Sequence, residues 1–121
     1  MKKCVYALFL LSLAFLVSPA KADPPPETSD VVLQSEAWVL LGRTHLQARR
    51  YRKSISRFRK ALKFDPHHAS AYYWAGRAYE EWGKLDEAAN EYQAALRADA
   101  HMEIAQTAWD RLKTQAALSE P

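Results

Sequence analysis

A step of 34 residues recurs through this chain and limits what it can fold into. Gly42 and Gly76 are separated by it, as are Trp38 and Tyr72, His45 and Tyr79, Phe58 and Tyr92, and Ala61 and Ala95. Arg43, Arg77 and Arg111 keep the same step across three places. A repeat of that length is one supersecondary unit, unable to bury its apolar face alone and stabilised by stacking on its neighbours. The glycines sharpen the reading. Gly76 falls inside "AYYWAGRAYEEWG", Ala71 to Gly83, whose aromatic residues recur at helical spacing. Glycine inside a helix costs about 1 kcal/mol relative to alanine, a cost that close approach of a neighbouring helix can offset. Gly42 and Gly76 are therefore expected at one structural position, where the first helix of a hairpin approaches the second, with Ala61 and Ala95 as small partners. On this reading Gly76→Leu overpacks the contact, while Gly76→Ala costs less and could even help through helix propensity.

From Asp30 to Leu118 apolar residues recur at three and four positions, with no strand pattern. Breaks fall near Arg49–Arg50, at "DPHH" (Asp65 to His68), at Gly83–Lys84 and near "ADAH" (Ala98 to His101), which predicts five helices over about 31–48, 52–64, 69–82, 86–98 and 103–117. The fold class is all-α, an antiparallel helical-hairpin solenoid. Residues 35–68 form a first repeat, 69–102 a second, and 103–118 a final helix. That helix has Ile104, Ala108, Trp109 and Leu112 on one side and Asp110, Arg111 and Lys113 on the other. It reads as a cap, which a solenoid needs to shield its last core face.

The amino-terminal part is different in kind. "MKK" precedes the apolar run "CVYALFLLSLAFLV", and "SPAKA" follows with Ala20 and Ala22 in a small-residue pattern. The run is short for a bilayer span, which needs about 20 apolar residues. Residues 1–22 are expected to be a signal peptide, cleaved after Ala22, with the mature chain exported to a periplasm of the Gram-negative type. The single cysteine, Cys4, leaves with it. Residues 23–34 hold a proline-rich tether, "DPPPETSD", and a helix start at which Ser29 or Asp30 can cap.

At this point the chain resembles the tetratricopeptide repeat family. In that family Trp, Leu, Gly and Tyr run along a first helix, then Ala, an aromatic, Ala and Pro along a second. The first unit has Trp38, Leu41, Gly42, His45, Ser54, Phe58, Ala61 and Pro66 in these places, and the second has Tyr72, Ala75, Gly76, Tyr79, Ala88, Tyr92, Ala95 and Ala100. His45, Ser54, Ala75 and Ala100 depart from the pattern, and Arg49 stands where the second unit has the turn glycine, Gly83. The resemblance implies a non-catalytic interaction module that binds a protein or peptide segment in a concave groove. It implies a groove lined by Glu36, Val39, Arg43, Leu46 and Gln47, then Ser70, Tyr73, Arg77, Glu80 and Glu81, then Thr107 and Arg111. The three arginines would form a ladder whose planar guanidinium forks suit carboxylates, favouring an acidic partner. Members that clamp a C-terminal carboxylate use Lys and Asn on their first helices. Here Val39 and Arg43 hold the leading places and the only asparagine, Asn90, lies in a second helix, so a different acidic motif is expected.

Charge divides the repeats. Of 17 Lys and Arg, Lys2, Lys3 and Lys21 belong to the leader, and the other 14 balance the 14 Asp and Glu of the mature part. Nine basic residues and no acid lie between Glu36 and Asp65, whereas Asp65 to Asp110 holds nine acids and three basic residues. In the helix after Arg50, Tyr51, Ile55, Phe58 and Leu62 make an apolar stripe, and Arg52, Lys53, Arg57, Arg59, Lys60 and Lys63 cover the rest. Alone, such a helix would suit a membrane surface or nucleic acid. Inside a repeat the stripe is used by packing, leaving a solvated convex face, or an alternative binding surface for anionic lipid, lipopolysaccharide or an acidic partner. Nucleic acid is not expected to meet an exported chain. No cofactor is implied. The four histidines lack metal-ligand spacing; His67, His68 and His101 read as polar turn residues and His45 as a packed one. No nucleophile elbow or phosphate loop appears, and the adjacent Glu80 and Glu81 face different sides of a helix.

Overall fold

The structure is a computed structural model and describes residues 28–120; the leader and the prolines of the tether lie outside the described residues. Among the described residues five helices follow one another: α1 (Thr28–Gln47), α2 (Tyr51–Phe64), α3 (Ala69–Glu81), α4 (Leu85–Ala98) and α5 (Glu103–Ser119). α1 packs on α2 and α3 on α4 as two hairpins, α2 against α3 joins them, and α5 packs on α4. This is an all-α hairpin solenoid. α1 starts earlier than its pattern suggests. Ser29 and Asp30 lie within the helix rather than capping it.

The turns inside the two hairpins are built alike. At the end of α1 the Arg49 N–H donates to the Leu46 carbonyl (2.9 Å) and the Arg50 N–H to that of His45 (2.9 Å). At the end of α3, Gly83 donates to Glu80 (3.0 Å) and Lys84 to Tyr79 (2.8 Å). This pair of bonds closes a helix through a residue in the left-handed region. Gly83 has φ 84° and Arg49 has φ 57°. The arginine thus makes the same turn as the glycine, with a strained backbone. The turns between repeats also match. The Asp65 carboxylate accepts from the His67 N–H, and the Asp99 carboxylate from the His101 N–H, each at 3.0 Å.

Each core is completed by the repeat that follows. Val39, Leu46, Ile55, Phe58 and Ala61 of the first hairpin are closed over by Ala71, Ala75 and Ala78 of α3. Ala88, Tyr92 and Ala95 are joined by Tyr73, and are closed by Ala105, Ala108 and Leu112 of α5. α5 therefore covers the second core. Ala105 performs the packing expected of Ile104, whose side chain is exposed.

Both helical glycines are close-approach points, but against a different partner from the one expected. A Cβ on Gly42 would lie 2.5 Å from the Phe58 ring, and one on Gly76 would lie 2.6 Å from the Tyr92 ring. Both rings are fully buried. The aromatic, not Ala61 or Ala95, fills the space that each glycine leaves, so alanine at Gly76 displaces a buried ring and does not help.

Candidate functional site

The residues named from the sequence divide into three groups. Arg43, Leu46 and Gln47 of α1 meet Arg77 and Glu81 of α3 around an open recess of ≈ 200 Å³, together with Trp74 and Arg49. Val39 and Tyr73 are 3% and 4% exposed and belong to the core beneath. The others are engaged elsewhere. Glu36 lies 3.4 Å from His68 Nε2, Ser70 is half-buried at the start of α3, and the Thr107 hydroxyl donates to the Glu103 carbonyl of its own helix (2.9 Å).

The three arginines share a repeat position but not an environment. Arg111 donates to both carboxylate oxygens of Glu80, at 2.6 and 2.9 Å. Glu80 also accepts from the Tyr92 hydroxyl at 2.5 Å. Burial, then this carboxylate, push the Tyr92 hydroxyl pKa upward. Arg77 lies 3.4 Å from the Glu81 carboxylate and 3.4 Å from the Tyr73 hydroxyl. Arg43 has no carboxylate partner among the described residues; its guanidinium lies 4.4 Å from the centre of the Trp74 ring. Arg77 approaches that ring to 5.9 Å. A continuous ladder is thus broken into one arginine tied to Glu80, one shared with Glu81, and one resting on an aromatic face. Cation–π contact holds Arg43 without neutralising it. The recess, with Arg43, Arg49 and Arg77 against Glu81, has a surplus of positive charge.

Trp74 was not among the candidates, although the 34-residue step held its signal. It occupies the place of Leu40. Leu40 has no preceding repeat beside it and is 64% exposed, whereas Trp74 has α1 beside it. The same step places Arg49 at the position of Gly83, and the left-handed turn brings its side chain to the recess.

On α2 the basic residues are not equivalent either. Arg59 pairs with Glu91 of α4, which is itself buried. Arg57 and Lys60 lie 5.6 and 4.6 Å from the Trp38 ring. Arg52 lies 5.7 Å from the Trp82 ring. Lys53 and Lys63 are exposed. Glu91 was not foreseen. Burial raises its pKa, and Arg59 and then Arg97 oppose that rise.

The histidines need one correction. His67 and His101 are exposed turn residues, but His68 is buried. Its Nδ1 lies 2.9 Å from the Ser35 hydroxyl, which is buried and donates to the Ala61 carbonyl (3.1 Å). These bonds tie α1 to the turn before α3. His45 is half-buried; burial, then Arg57, Arg50 and Lys53, hold its pKa below the ordinary imidazole range. Among the described residues no cluster of three metal-ligating side chains forms, and no helix is long and apolar enough to cross a membrane.

Stacked helical hairpins, a glycine under an aromatic in each, and an α1–α3 recess define a repeat scaffold of the tetratricopeptide type. The family model described as "Tetratricopeptide repeat" matches residues 39–103, and the chain belongs to that family. Among solved structures, "Crystal structure of MamA" is similar, with a TM-score of 0.67 and 21% identity over 74% of this chain and 52% of the MamA chain. The chain therefore spans about half of that protein's length, and the likeness is one of fold. No curated protein matches the chain. The tetratricopeptide fold serves in general as a protein–protein interaction scaffold.

Proposed function

We propose that this protein is a non-catalytic adaptor that binds a protein or peptide segment in the concave face formed by its first helices, after export to the cell envelope. The observation that carries the reading is Arg43, seated on Trp74 at the edge of the recess with no carboxylate partner among the described residues. A flat guanidinium with no carboxylate on its fork can donate two parallel bonds to a carboxylate. An acidic side chain of a partner would also meet Arg49 and Arg77, while the half-buried Trp74 offers apolar surface to its neighbours. The leader supports the location, with processing after Ala22 and a mature start at Asp23.

The test is Arg43→Ala with Arg77→Ala, compared with the parent by circular dichroism and by crosslinking pull-down from an envelope fraction. An unchanged helical spectrum with lost, salt-sensitive capture is expected. Undiminished capture would exclude the recess. Intact mass of the same periplasmic protein should begin at Asp23, and full-length mass in the membrane fraction would remove the soluble location.

A second reading, contact with anionic lipid, lipopolysaccharide or an acidic partner through the basic helix 52–64, is favoured by Arg52 and Lys53. Both stay exposed at the start of α2, away from the Arg59–Glu91 pair.

A further inference from the structure

At the edge where both hairpins turn, the start of α2 meets the end of α3. Tyr51 stacks on Trp82 with ring centroids 6.4 Å apart, and Trp82 stacks in turn on Tyr79 at 6.4 Å. Tyr51 and Trp82 line an open recess of ≈ 420 Å³ with Arg50, Arg52 and Lys53. Lys84, from the second turn, lies 4.2 Å from the Trp82 ring. Two turns and two helices, from different repeats, thus bring four cations around a pair of aromatic rings. We propose that this hairpin-turn edge is a membrane-docking surface, with Tyr51 and Trp82 entering the headgroup region of an anionic bilayer and Arg50, Arg52, Lys53 and Lys84 meeting its lipid phosphates.

The inference rests on the second reading above and changes its geometry, from the length of α2 to one end of it plus residues that α2 does not contain. Three observations support the change. Farther along α2, Arg59 is paired with the buried Glu91 and is not free for a lipid phosphate. Tyr and Trp have an apolar body and a polar tip, and favour the interface between membrane and water. Each cation near an anionic leaflet raises partitioning roughly fivefold. The lowered pKa of His45, caused by burial first and then by Arg57, Arg50 and Lys53, is consistent with a positive potential there. Among the described residues none of Arg50, Arg52, Lys53 and Lys84 forms a salt bridge. Glu81 is directed to Arg77, and Asp86 and Glu87 lie in the first turn of α4, where the helix dipole favours negative charge. A shallow, open edge also suits a surface better than a threaded peptide.

Sedimentation with vesicles tests this, using the chain from Asp23 onward, which holds every described helix and both cores. The expected result is binding to vesicles of phosphatidylglycerol and none to phosphatidylcholine. Arg52→Gln/Lys53→Gln/Lys84→Gln should lower the partition coefficient at least about tenfold, with circular dichroism unchanged. Lys60→Gln/Lys63→Gln, farther along α2, should lower it less than about threefold. If the second pair loses binding and the first set keeps it, the edge is wrong and the broader basic-helix reading stands. Failure to bind either vesicle overturns the docking surface and the anionic-lipid form of the second reading, and leaves that reading only lipopolysaccharide or an acidic partner. Equal binding to both vesicles would show an apolar attachment and overturn the role given to the cations.

Discussion

The two hairpins share a backbone and differ in what fills it. Where the second has Ala69, Ala88 and Met102, the first has Ser35, Ser54 and His68, and all three of these are buried. Ser35 and His68 satisfy each other and the Ala61 carbonyl. The Ser54 hydroxyl is buried without a hydrogen-bond partner, at the place where Ala88 needs none. The first hairpin is basic and turns through a strained arginine; the second is acidic and turns through glycine. The difference teaches which parts of the repeat are geometric necessities. Glycine under an aromatic, and a left-handed residue after the first helix, persist in both. Charge and core polarity vary around them.

The largest expected effect probes the feature common to both hairpins. Gly76→Ala forces a Cβ against a buried ring, so it should cost about 2–3 kcal/mol, at the upper end of overpacking. Gly42→Ala should cost about 1–2 kcal/mol. The asymmetry follows from tethering. Tyr92 is held at its hydroxyl by Glu80, and Glu80 is held by Arg111, whereas Phe58 has no polar anchor and can tilt. Urea denaturation of the two variants decides it. Equal losses would show that the Glu80 bonds do not restrain the ring, and a gain in either would show that the glycine is not a contact point.

How far the sequence could reveal this is clear from the glycines themselves. Their common step located the close approach, because identical spacing means identical structural position. It did not locate the partner. Periodicity along a helix tells which residues share a face, but Phe58, Ala61 and Leu62 share much of one face, and only packing in three dimensions selects the ring. His68 was hidden for a related reason. A histidine after proline in a turn reads as solvated, and its burial depends on Ser35, which is 33 positions away. The recess was half legible. Arg43 and Arg77 follow from the repeat, but their unequal engagement depends on Trp74, Glu81 and Tyr73, which no single spacing ranks.

A middle-sized effect separates the hairpins by charge. Glu91 holds the place that Arg57 holds in the first repeat. Its pKa is raised by burial, so the folded state holds its proton more tightly than the unfolded state does. That contribution is fully present below the ordinary carboxylate range and is lost as pH rises through the raised value. Arg59 opposes the shift by favouring the carboxylate. Arg59→Ala should therefore cost about 1–2 kcal/mol at pH 7 and much less near pH 4, a discount from the roughly 3–5 kcal/mol of a fully buried pair, because the Arg59 side chain is 47% exposed. Glu91→Gln in the same background should flatten the pH dependence. Arg57→Ala, which removes contact with Trp38 and a repulsion on protonated His45, should cost within about 1 kcal/mol at pH 7 and less near pH 4. Thermal melts from pH 4 to 8 give the comparison, and a pH-independent loss in Arg59→Ala would remove Glu91 from the account.

The smallest effect isolates the turn. Arg49 and Gly83 occupy matching left-handed positions, yet only one is glycine. A Cβ at Gly83 would meet nothing within 4 Å, so the cost of a side chain there is one of backbone conformation alone. For an L-residue that cost is about 1 kcal/mol, partly offset because glycine loses more freedom on folding. Arg49→Gly should therefore stabilise the chain by about 0.5–1 kcal/mol, and Gly83→Arg should destabilise it by a similar amount. The exchange of both tests additivity: stability nearly unchanged means that the two turns do not interact. Arg49 also lines the α1–α3 recess, so Arg49→Gly carries a second readout. If the arginine is retained in a strained turn for the partner's carboxylate, the variant gains stability while partner capture weakens. Stability gained with capture unchanged would leave Arg49 outside the binding surface and place the recess charge on Arg43 and Arg77. A loss of stability would mean that the arginine side chain contributes packing that outweighs its backbone strain, and that the two turns, though alike in hydrogen bonds, are held by different means.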